Sequence, residues 1–227
     1  MTEEEPHYVG HKKRLKERFL KGGLESLNDY ESIELILSLA ILRKDVKPLA
    51  KKLLEKFGSF ASVLDASPDE LIKIKGMGQS AVSALKLVRE STVKYLQEKS
   101  RGRCVVSSPS ALIDYCRAAM KGLKDEEFRV IFLNSKNEII EDESLCKGTI
   151  DQTTVYPRKV IERALHHGAA SMIFVHNHPS GHTDPSGADK ELTRILKDAA
   201  HSIQVKVHDH LIIGEKGHYS FAEEGCL

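Results

Sequence analysis

Residues 175–189 read VHNHPSGHTDPSGAD, and this stretch decides the interpretation of the second half of the chain. It follows a short apolar run that is typical of a buried strand. His176 and His178 are two residues apart, so on a strand their side chains point the same way. Asp189 falls in the first turn of a helix that Ser186 is expected to cap. The pattern predicts two imidazoles and one carboxylate close to one strand end.

These three side chains match the ligands of a catalytic zinc site, in which three protein ligands leave a fourth position for water. Structural zinc sites usually have four protein ligands. A catalytic zinc ion lowers the pKa of its bound water from about 16 to about 7, which supplies hydroxide at neutral pH. We therefore expect Zn2+ on His176, His178 and Asp189. A polar turn that is rich in histidine by chance is the alternative.

Hydrolysis at this site also needs a general base that is close to the metal but not bound to it. Glu126 and Glu127 precede FRVIFLN, an apolar run that predicts a strand beside the histidine strand. Either glutamate fits this role from the residues alone. Ser186 or Ser180 is expected to donate a hydrogen bond to the developing oxyanion.

The composition limits the class of protein. A chain of 227 residues has room for two domains of about 100 to 150 residues. Its 34 Lys and Arg nearly balance 33 Asp and Glu, so binding to nucleic acid requires a local patch. The four cysteines form no C-x-x-C pair, so the sequence suggests neither a zinc ribbon nor a disulfide framework. Without an apolar leader or an apolar run of about 18 residues, we expect a cytoplasmic protein with no membrane partner.

Helical patterns fill the first hundred residues. Leu15, Phe19 and Leu24 are expected on the buried side of the first helix. Gly58 is expected to end the third helix as a C-cap. Ser67 is followed by Pro and, three residues on, by Glu, which predicts a capping box for a short helix.

The polar and basic stretch at 97–103, QEKSRGR, predicts a linker between two domains. We therefore predict an all-α domain over 1–97 and a second domain over 104–227. In the second domain FRVIFLN and EIIEDES flank SKN, which predicts a β-hairpin. Strands and helices alternate around it, which indicates an α/β domain whose sheet is mixed.

Residues that typically begin or end helices and strands predict further elements of the second domain. Thr154 and Pro157 are expected to open a helix that Gly168 ends. The apolar run at 170–175 predicts a central strand that is covered on both faces. VKVHDHLIIG and YSFAE predict two more strands.

A glycine pair in the first domain provides a candidate contact to nucleic acid. Gly76 and Gly78 permit a tight turn and expose backbone N–H groups at the start of the next helix, where phosphate binds. We expect Lys75, both glycines and Gln79 to contact the DNA backbone without reading sequence, with Lys73 and Lys86 nearby to add charge. A turn without a ligand is the alternative. The first hundred residues hold 18 basic against 15 acidic side chains, so we expect weak binding.

Two longer patterns resemble known families. HNHPSG followed by PSGAD resembles the JAMM signature of MPN-type metalloproteases, H-x-H-P-x(6)-S-x-x-D, without a gap. The form with Asn177, together with VIFLNSKN, GTIDQTTVYPRKVIERAL and DHLIIG, resembles the bacterial RadC family. GHKKRLKERFL, RKDVKPLAKKLLEKFGSF and IKGMGQSAVSALK resemble the helix-hairpin-helix half of that family. The resemblance covers nearly the whole chain.

The resemblance implies a mixed-sheet JAMM domain with zinc on the two histidines and Asp189. It also implies a catalytic glutamate, for which the E-x-F spacing selects Glu126, and an oxyanion donor at Ser186. The implied reaction is cleavage of an amide in a peptide or protein substrate, and the family name is associated with DNA repair. Asn177 stands where eukaryotic deubiquitinases usually have Ser or Thr, a difference that concerns substrate recognition and not the metal ligands.

Two other functions stay open. One is a DNA-binding protein whose metal site has no catalytic role. The other is a metal-dependent nuclease, suggested by the letters HNH, although HNH nucleases place their histidines far apart on a ββα hairpin. A second H-x-H, at His208 and His210 around Asp209, is expected to be structural, with Asp209 or His210 orienting a metal ligand as the alternative. The sequence does not indicate an oligomeric state.

Overall fold

The computed structural model describes residues 7–42, 44–100, 104–105, 109–148 and 155–227. The chain forms two compact units, Met1–Ser91 and Thr92–Leu227. Within the described ranges, no helix is long and apolar enough to cross a membrane.

The first unit is helical, as predicted. Its elements are α1 (His7–Gly22), a 3₁₀ turn (Leu24–Ser26), α2 (Asp29–Ala40), α3 (Lys47–Phe57), α4 (Phe60–Asp65), α5 (Pro68–Ile72) and the start of α6 (Gln79–Ser100). Side chains from all helices after α1 form its core, among them Ile33, Leu37, Leu53, Val63, Leu71 and Leu85. The unit therefore has a hydrophobic core of its own.

The structure confirms the predicted helix ends of this unit. Gly58 ends α3 in the left-handed region with φ 87°. Ser67 caps α5, and the Ser67 backbone N–H donates to the Glu70 carboxylate at 3.0 Å. Gly76 has φ 103° in the turn between α5 and α6, a conformation that favours glycine.

The predicted apolar face of α1 is wrong. Leu15 is buried, but Phe19 is 37% exposed and Leu24 is 50% exposed. Leu24 lies beyond the end of α1, so helical periodicity does not apply to it. The helix docks largely through polar contacts instead. Arg18 pairs with Glu31 of α2 at 2.8 Å.

Residues 97–100 of the predicted linker are helical, because they continue α6. Val93 and Leu96 pack on the core of the second unit, so apolar residues three apart extend the helix into it. Ser100 is buried and donates to the Gln97 carbonyl at 2.7 Å. Residues 101–103 of the predicted linker lie outside the described residues.

The second unit is the predicted α/β domain. After the end of α6 it contains α7 (Pro109–Met120), β1 (Glu127–Leu133), β2 (Ile139–Lys147), α8 (Pro157–His166), β3 (Ser171–Asn177), α9 (Gly187–Ser202), β4 (Lys206–Ile213) and β5 (His218–Ser220). The sheet order is β2-β1-β3-β4-β5, in which β3 and β4 are parallel and the other neighbours antiparallel. The sheet is therefore mixed.

Most predicted elements of this unit are present. Gly168 ends α8 with φ 60°, and Asn137 forms the hairpin turn with φ 59°. Thr154 lies outside the described residues. The YSFAE strand is shorter than predicted, because β5 ends at Ser220 and the chain then turns. Helix α7 was not predicted.

Helices cover both faces of the sheet at its central strand. Met172 and Phe174 of β3 pack in the core shared with α8 and α9, whereas Ile173 and Val175 pack in the core shared with α7. Because side chains alternate along a strand, His176 continues the face that α9 covers. The fold thus directs His176 toward the helix that carries Asp189.

Candidate metal centre

Two neighbouring strands fix the histidine backbone. His176 is the penultimate residue of β3 and pairs in register with Phe128 of β1 and Ile212 of β4. His178 follows the strand, and its backbone N–H donates to the Ile213 carbonyl at 3.0 Å. The backbone of both histidines is therefore held by the sheet and not by a free loop.

The loop after His178 packs on the turn between β4 and β5. Gly181 turns the chain with φ 82°, and its carbonyl accepts from the Glu215 N–H at 3.1 Å. A Cβ at Gly214 would lie 2.6 Å from the Gly181 oxygen, so this close approach requires glycine there. The loop is thereby directed back toward the start of α9.

A capping box orients the carboxylate. The Ser186 backbone N–H and hydroxyl donate to Asp189 Oδ2 at 2.7 and 2.6 Å, and the Asp189 N–H donates to Ser186 Oγ at 3.1 Å. Asp189 is buried, with 7% exposure. Local helix-start chemistry therefore places this carboxylate at the end of β3.

The three predicted ligands converge. His176 Nε2 lies 3.0 Å from His178 Nε2 and 3.2 Å from Asp189 Oδ1, and His178 Nε2 lies 3.5 Å from Asp189 Oδ2. In a tetrahedral zinc site with bonds of about 2.0–2.1 Å, neighbouring ligand atoms are roughly 3.3 Å apart. Within the described part of the chain, no other group of three or more His, Cys, Asp or Glu side chains has this arrangement.

Comparison with known proteins identifies the family. The model of the RadC-like JAB domain matches residues 106–226, and the model described as UPF0758 N-terminal matches residues 8–83. The chain belongs to the RadC-like JAB family. A UPF0758 protein of Rhodobacter capsulatus is 47% identical over 213 residues, which are 94% of this chain and 100% of the relative. A UPF0758 protein of Ruegeria pomeroyi is 44% identical over 223 residues, 98% of this chain and 100% of the relative. The predicted family is confirmed, and neither relative's name states a reaction.

A hydrogen bond fixes the tautomer of His178, the partly buried histidine of this RadC-like JAB domain. His178 Nδ1 lies 3.0 Å from the His182 carbonyl oxygen. A carbonyl oxygen only accepts, so Nδ1 carries the proton. In neutral His178, Nε2 then has a lone pair that faces Asp189.

A chain of three hydrogen bonds fixes the tautomer of His176. Thr193 Oγ1 lies 2.6 Å from the Asp189 carbonyl and 2.6 Å from His210 Nδ1. The hydroxyl donates its one proton to the carbonyl, so it accepts from His210 Nδ1. His210 Nε2, 2.8 Å from His176 Nδ1, then accepts the His176 proton. His176 Nε2 is left with a lone pair that faces the carboxylate.

The environment of His210 keeps that ring neutral. It is fully buried and stacks on Phe221, with ring centroids 5.0 Å apart, while Phe128 and Phe174 meet it at 5.8 Å. Burial lowers its pKa well below the usual value. A neutral His210 can accept from His176, as the tautomer assignment requires.

The donor set fits a metal cation. With both histidines neutral, two nitrogen lone pairs and a carboxylate meet without a proton between them, an arrangement that a cation stabilises. In the metal-free protein, the hydrogen bond to Asp189 raises the pKa of His178. Burial opposes ionisation of Asp189, but bonds that His176 and His178 donate when their Nε2 atoms carry protons, together with the bond from Ser186, hold its pKa well below its usual range. A proton and a metal therefore compete for the same site.

The two candidate bases have different surroundings. Glu127 is buried, and its carboxylate pairs with Arg129 at 2.8 Å and with Lys147 at 3.3 Å. Glu126 is partly exposed, and its charge contributes to the raised pKa of His178. Glu127 thus forms ion pairs within the sheet, whereas the negative charge of Glu126 acts on His178 of the candidate metal centre.

Ser186 bonds to the candidate metal ligand Asp189. It is exposed, but its hydroxyl proton is donated to Asp189. Its structural role is therefore to orient the carboxylate, and its role toward an oxyanion stays a prediction. Ser180 is exposed in the turn after His178.

The residues of the second H-x-H, 208–210, have two different roles. Asp209 accepts from Ser220 Oγ at 2.6 Å and from the Ala222 N–H at 3.0 Å, and His208 contacts Asn137 at 2.7 Å, so both stabilise the fold. His210 instead contacts His176, the orienting role that was the alternative. Thr193 and its link to His210 were not predicted, although its spacing of one helical turn from Asp189 was a usable signal.

The predicted DNA contacts lie together in the first unit. Lys75, Gly76, Gly78 and Gln79 are exposed and line one surface cavity of about 880 Å³. Lys86 is not among the residues that line this cavity. Its ammonium donates to the Leu64 carbonyl at 2.6 Å, and burial lowers its pKa.

The Thr193→Val variant tests the tautomer assignment. Val keeps the shape but removes the hydroxyl that accepts from His210, so we expect Zn2+ affinity to fall by about 10- to 100-fold. Chelator competition measures the affinity. Thr193→Ser keeps the hydroxyl and is expected to bind as the wild type does. Equal affinity of the Val variant and the wild type would contradict the assignment.

Proposed function

We propose that this protein is a zinc-dependent hydrolase of JAMM type that cleaves a peptide or isopeptide amide. The observation that supports this most is the convergence of three groups at one strand end: the Nε2 lone pairs of His176 and His178 and the Asp189 carboxylate. Hydrogen bonds on the two Nδ1 atoms orient these lone pairs. A second carboxylate, Glu126, exerts its field on the same site. Membership of the RadC-like JAB family agrees with this chemistry.

Zinc is the metal that this donor set favours. Two imidazole nitrogens and one carboxylate oxygen leave one tetrahedral position open, which is the composition of a catalytic zinc site. When bound, zinc supplies a Lewis acid that polarises the scissile carbonyl and acidifies the attacking water. Imidazole is less suited to Mg2+ and Ca2+, which prefer oxygen ligands.

The protein's own residues supply proton transfer and orientation. Glu126 accepts the proton of the attacking water and delivers it to the leaving nitrogen, which makes it base and then acid. His176 and His178 keep their Nε2 atoms aimed at the centre through the bonds on their Nδ1 atoms. Ser186 donates to the oxyanion only when its hydroxyl leaves the bond to Asp189.

The Glu126→Gln variant tests this assignment. The amide cannot accept a proton, so we expect turnover to fall by about 10²- to 10⁴-fold while zinc content is unchanged. The zinc-loaded protein is incubated with a labelled library of peptides and isopeptides, and cleavage is followed by mass spectrometry.

Glu127→Gln is the matched control, and we expect it to keep turnover because Glu127 pairs with Arg129. Loss of turnover in Glu127→Gln but not in Glu126→Gln would reverse the assignment. A wild type that binds zinc but cleaves no library member would favour a metal site without catalysis. Cleavage of labelled DNA in a parallel incubation would favour a nuclease.

We also propose that the helical unit binds DNA without sequence preference. The surface cavity that supports this carries three lysines, Lys44, Lys52 and Lys75, beside the first residues of α6. Lysines and the N-terminal N–H groups of a helix both bind phosphate oxygens. These contacts position a protein on the backbone and do not read bases.

The Lys75→Glu variant tests this second proposal. Fluorescence anisotropy with a labelled duplex at several salt concentrations gives the affinity and its salt dependence. We expect weaker binding to all sequences and a salt slope reduced by about one. Lys136→Glu makes the same charge change at the hairpin of the second unit and is expected to bind as the wild type does. An equal loss of DNA affinity in both variants would show that the effect comes from net charge and not from this surface.

A further inference from the structure

Asn177, the middle residue of the H-x-H, has a buried carboxamide with partners at both ends. It is 2% exposed. Its Oδ1 accepts from the Glu127 backbone N–H at 2.8 Å, and its Nδ2 donates to the Asp125 carbonyl at 3.1 Å. Oxygen faces a donor and nitrogen faces an acceptor, so the amide orientation follows from its partners. The side chain connects residues about fifty positions apart.

The two partners of Asn177 lie on either side of Glu126. The Glu126 carbonyl itself accepts from the Gly148 N–H at 2.9 Å. Three consecutive residues are therefore held at the point where the chain enters β1. Glu126 precedes the strand, so these bonds hold its backbone where β1 has not yet begun.

The same residue also belongs to the backbone of the metal centre. Asn177 is covalently joined to His176 and His178, whose side chains form the site. A displacement of the Glu126 backbone from Asn177 is thus a displacement of the carboxylate from the metal ligands. A base must be held close to its working geometry, since an error of about 1 Å costs on the order of 10²-fold in rate.

We propose that Asn177 is the positioning residue for Glu126, because its carboxamide fixes the distance between the base and the metal ligands. This inference rests on the proposed role of Glu126. A Ser or Thr side chain at this position is one atom shorter and has one polar atom in place of two. The structure therefore gives Asn a specific role in this chain.

The Asn177→Asp variant is the sharpest test, because it changes one atom. The carboxylate still accepts from the Glu127 N–H, but it places an oxygen against the Asp125 carbonyl. We expect kcat on the cleaved peptides to fall by about 10- to 100-fold, with KM and zinc content unchanged. In hydrogen-exchange NMR on the full-length protein, the Glu127 amide should exchange faster, because repulsion between the new carboxylate and the Asp125 carbonyl weakens the bond that the Glu127 N–H donates.

Double substitution separates positioning from general damage. If Asn177 acts through Glu126, the Asn177→Asp/Glu126→Gln protein should turn over no more slowly than Glu126→Gln alone. Asn134→Asp is the matched control, because Asn134 holds the turn at the other end of β1 through bonds of 2.9 and 3.0 Å. It should keep wild-type kcat.

The outcomes separate this inference from the proposed function. Wild-type kcat in Asn177→Asp, or additive losses in the double variant, would overturn the positioning role while the hydrolase stands. If the wild type cleaves nothing, the hydrolase proposal fails, but exchange of the Glu127 amide still tests whether the Asn177 carboxamide holds the backbone around Glu126. Unchanged exchange in Asn177→Asp would then overturn this role of Asn177, and faster exchange would support it.

Discussion

Mutual repulsion between three electron-rich atoms is the constraint on which the second unit depends. His176 Nε2, His178 Nε2 and the Asp189 carboxylate lie within 4.8 Å of one another. Their own hydrogen bonds direct the histidine protons away from the centre. Such an arrangement is stable when a cation occupies it, either a metal or a proton. The surrounding fold holds these atoms together in spite of their repulsion.

Several independent parts of the fold supply that restraint. The sheet fixes the backbone of His176, and β4 accepts the hydrogen bond of the His178 N–H. The capping box of α9 fixes Asp189. Thr193 and His210 connect the Asp189 backbone to the His176 ring, so that two of the three ligands are joined outside the site as well as at it. Each of the three candidate ligands is therefore held by groups outside the candidate metal centre, which is the usual way a metal site is preorganised.

Features that depend on local sequence were predictable, and features that depend on strand register were not. Gly58, Ser67 and Ser186 end or begin helices because of their own chemistry, and the structure agrees with each. The spacing of the two histidines was sufficient to place both on one side of a strand. In contrast, the ion pairs of Glu127 with Arg129 and Lys147 follow from strand pairing and could not be predicted from the residues alone.

The errors include local features as well as tertiary ones. Leu24 was placed on a helix that ends at Gly22, and 97–100 were read as a linker because their side chains are polar, although α6 continues through them. Helix α7 was missed in spite of Leu112, Tyr115, Cys116 and Met120, which recur at helical spacing and are buried. His210 acquires its role only because β4 lies parallel to β3. Such tertiary partners cannot be read from a single segment.

Metal analysis of the purified protein tests the central claim most directly. Zinc content is measured per chain for the wild type, for His178→Ala, and for His182→Ala as the control. His182 is exposed in the same loop and contributes its carbonyl, which alanine retains. The account predicts about one zinc per chain in the wild type and in His182→Ala, and a large loss in His178→Ala. Equal zinc content in all three proteins would contradict it.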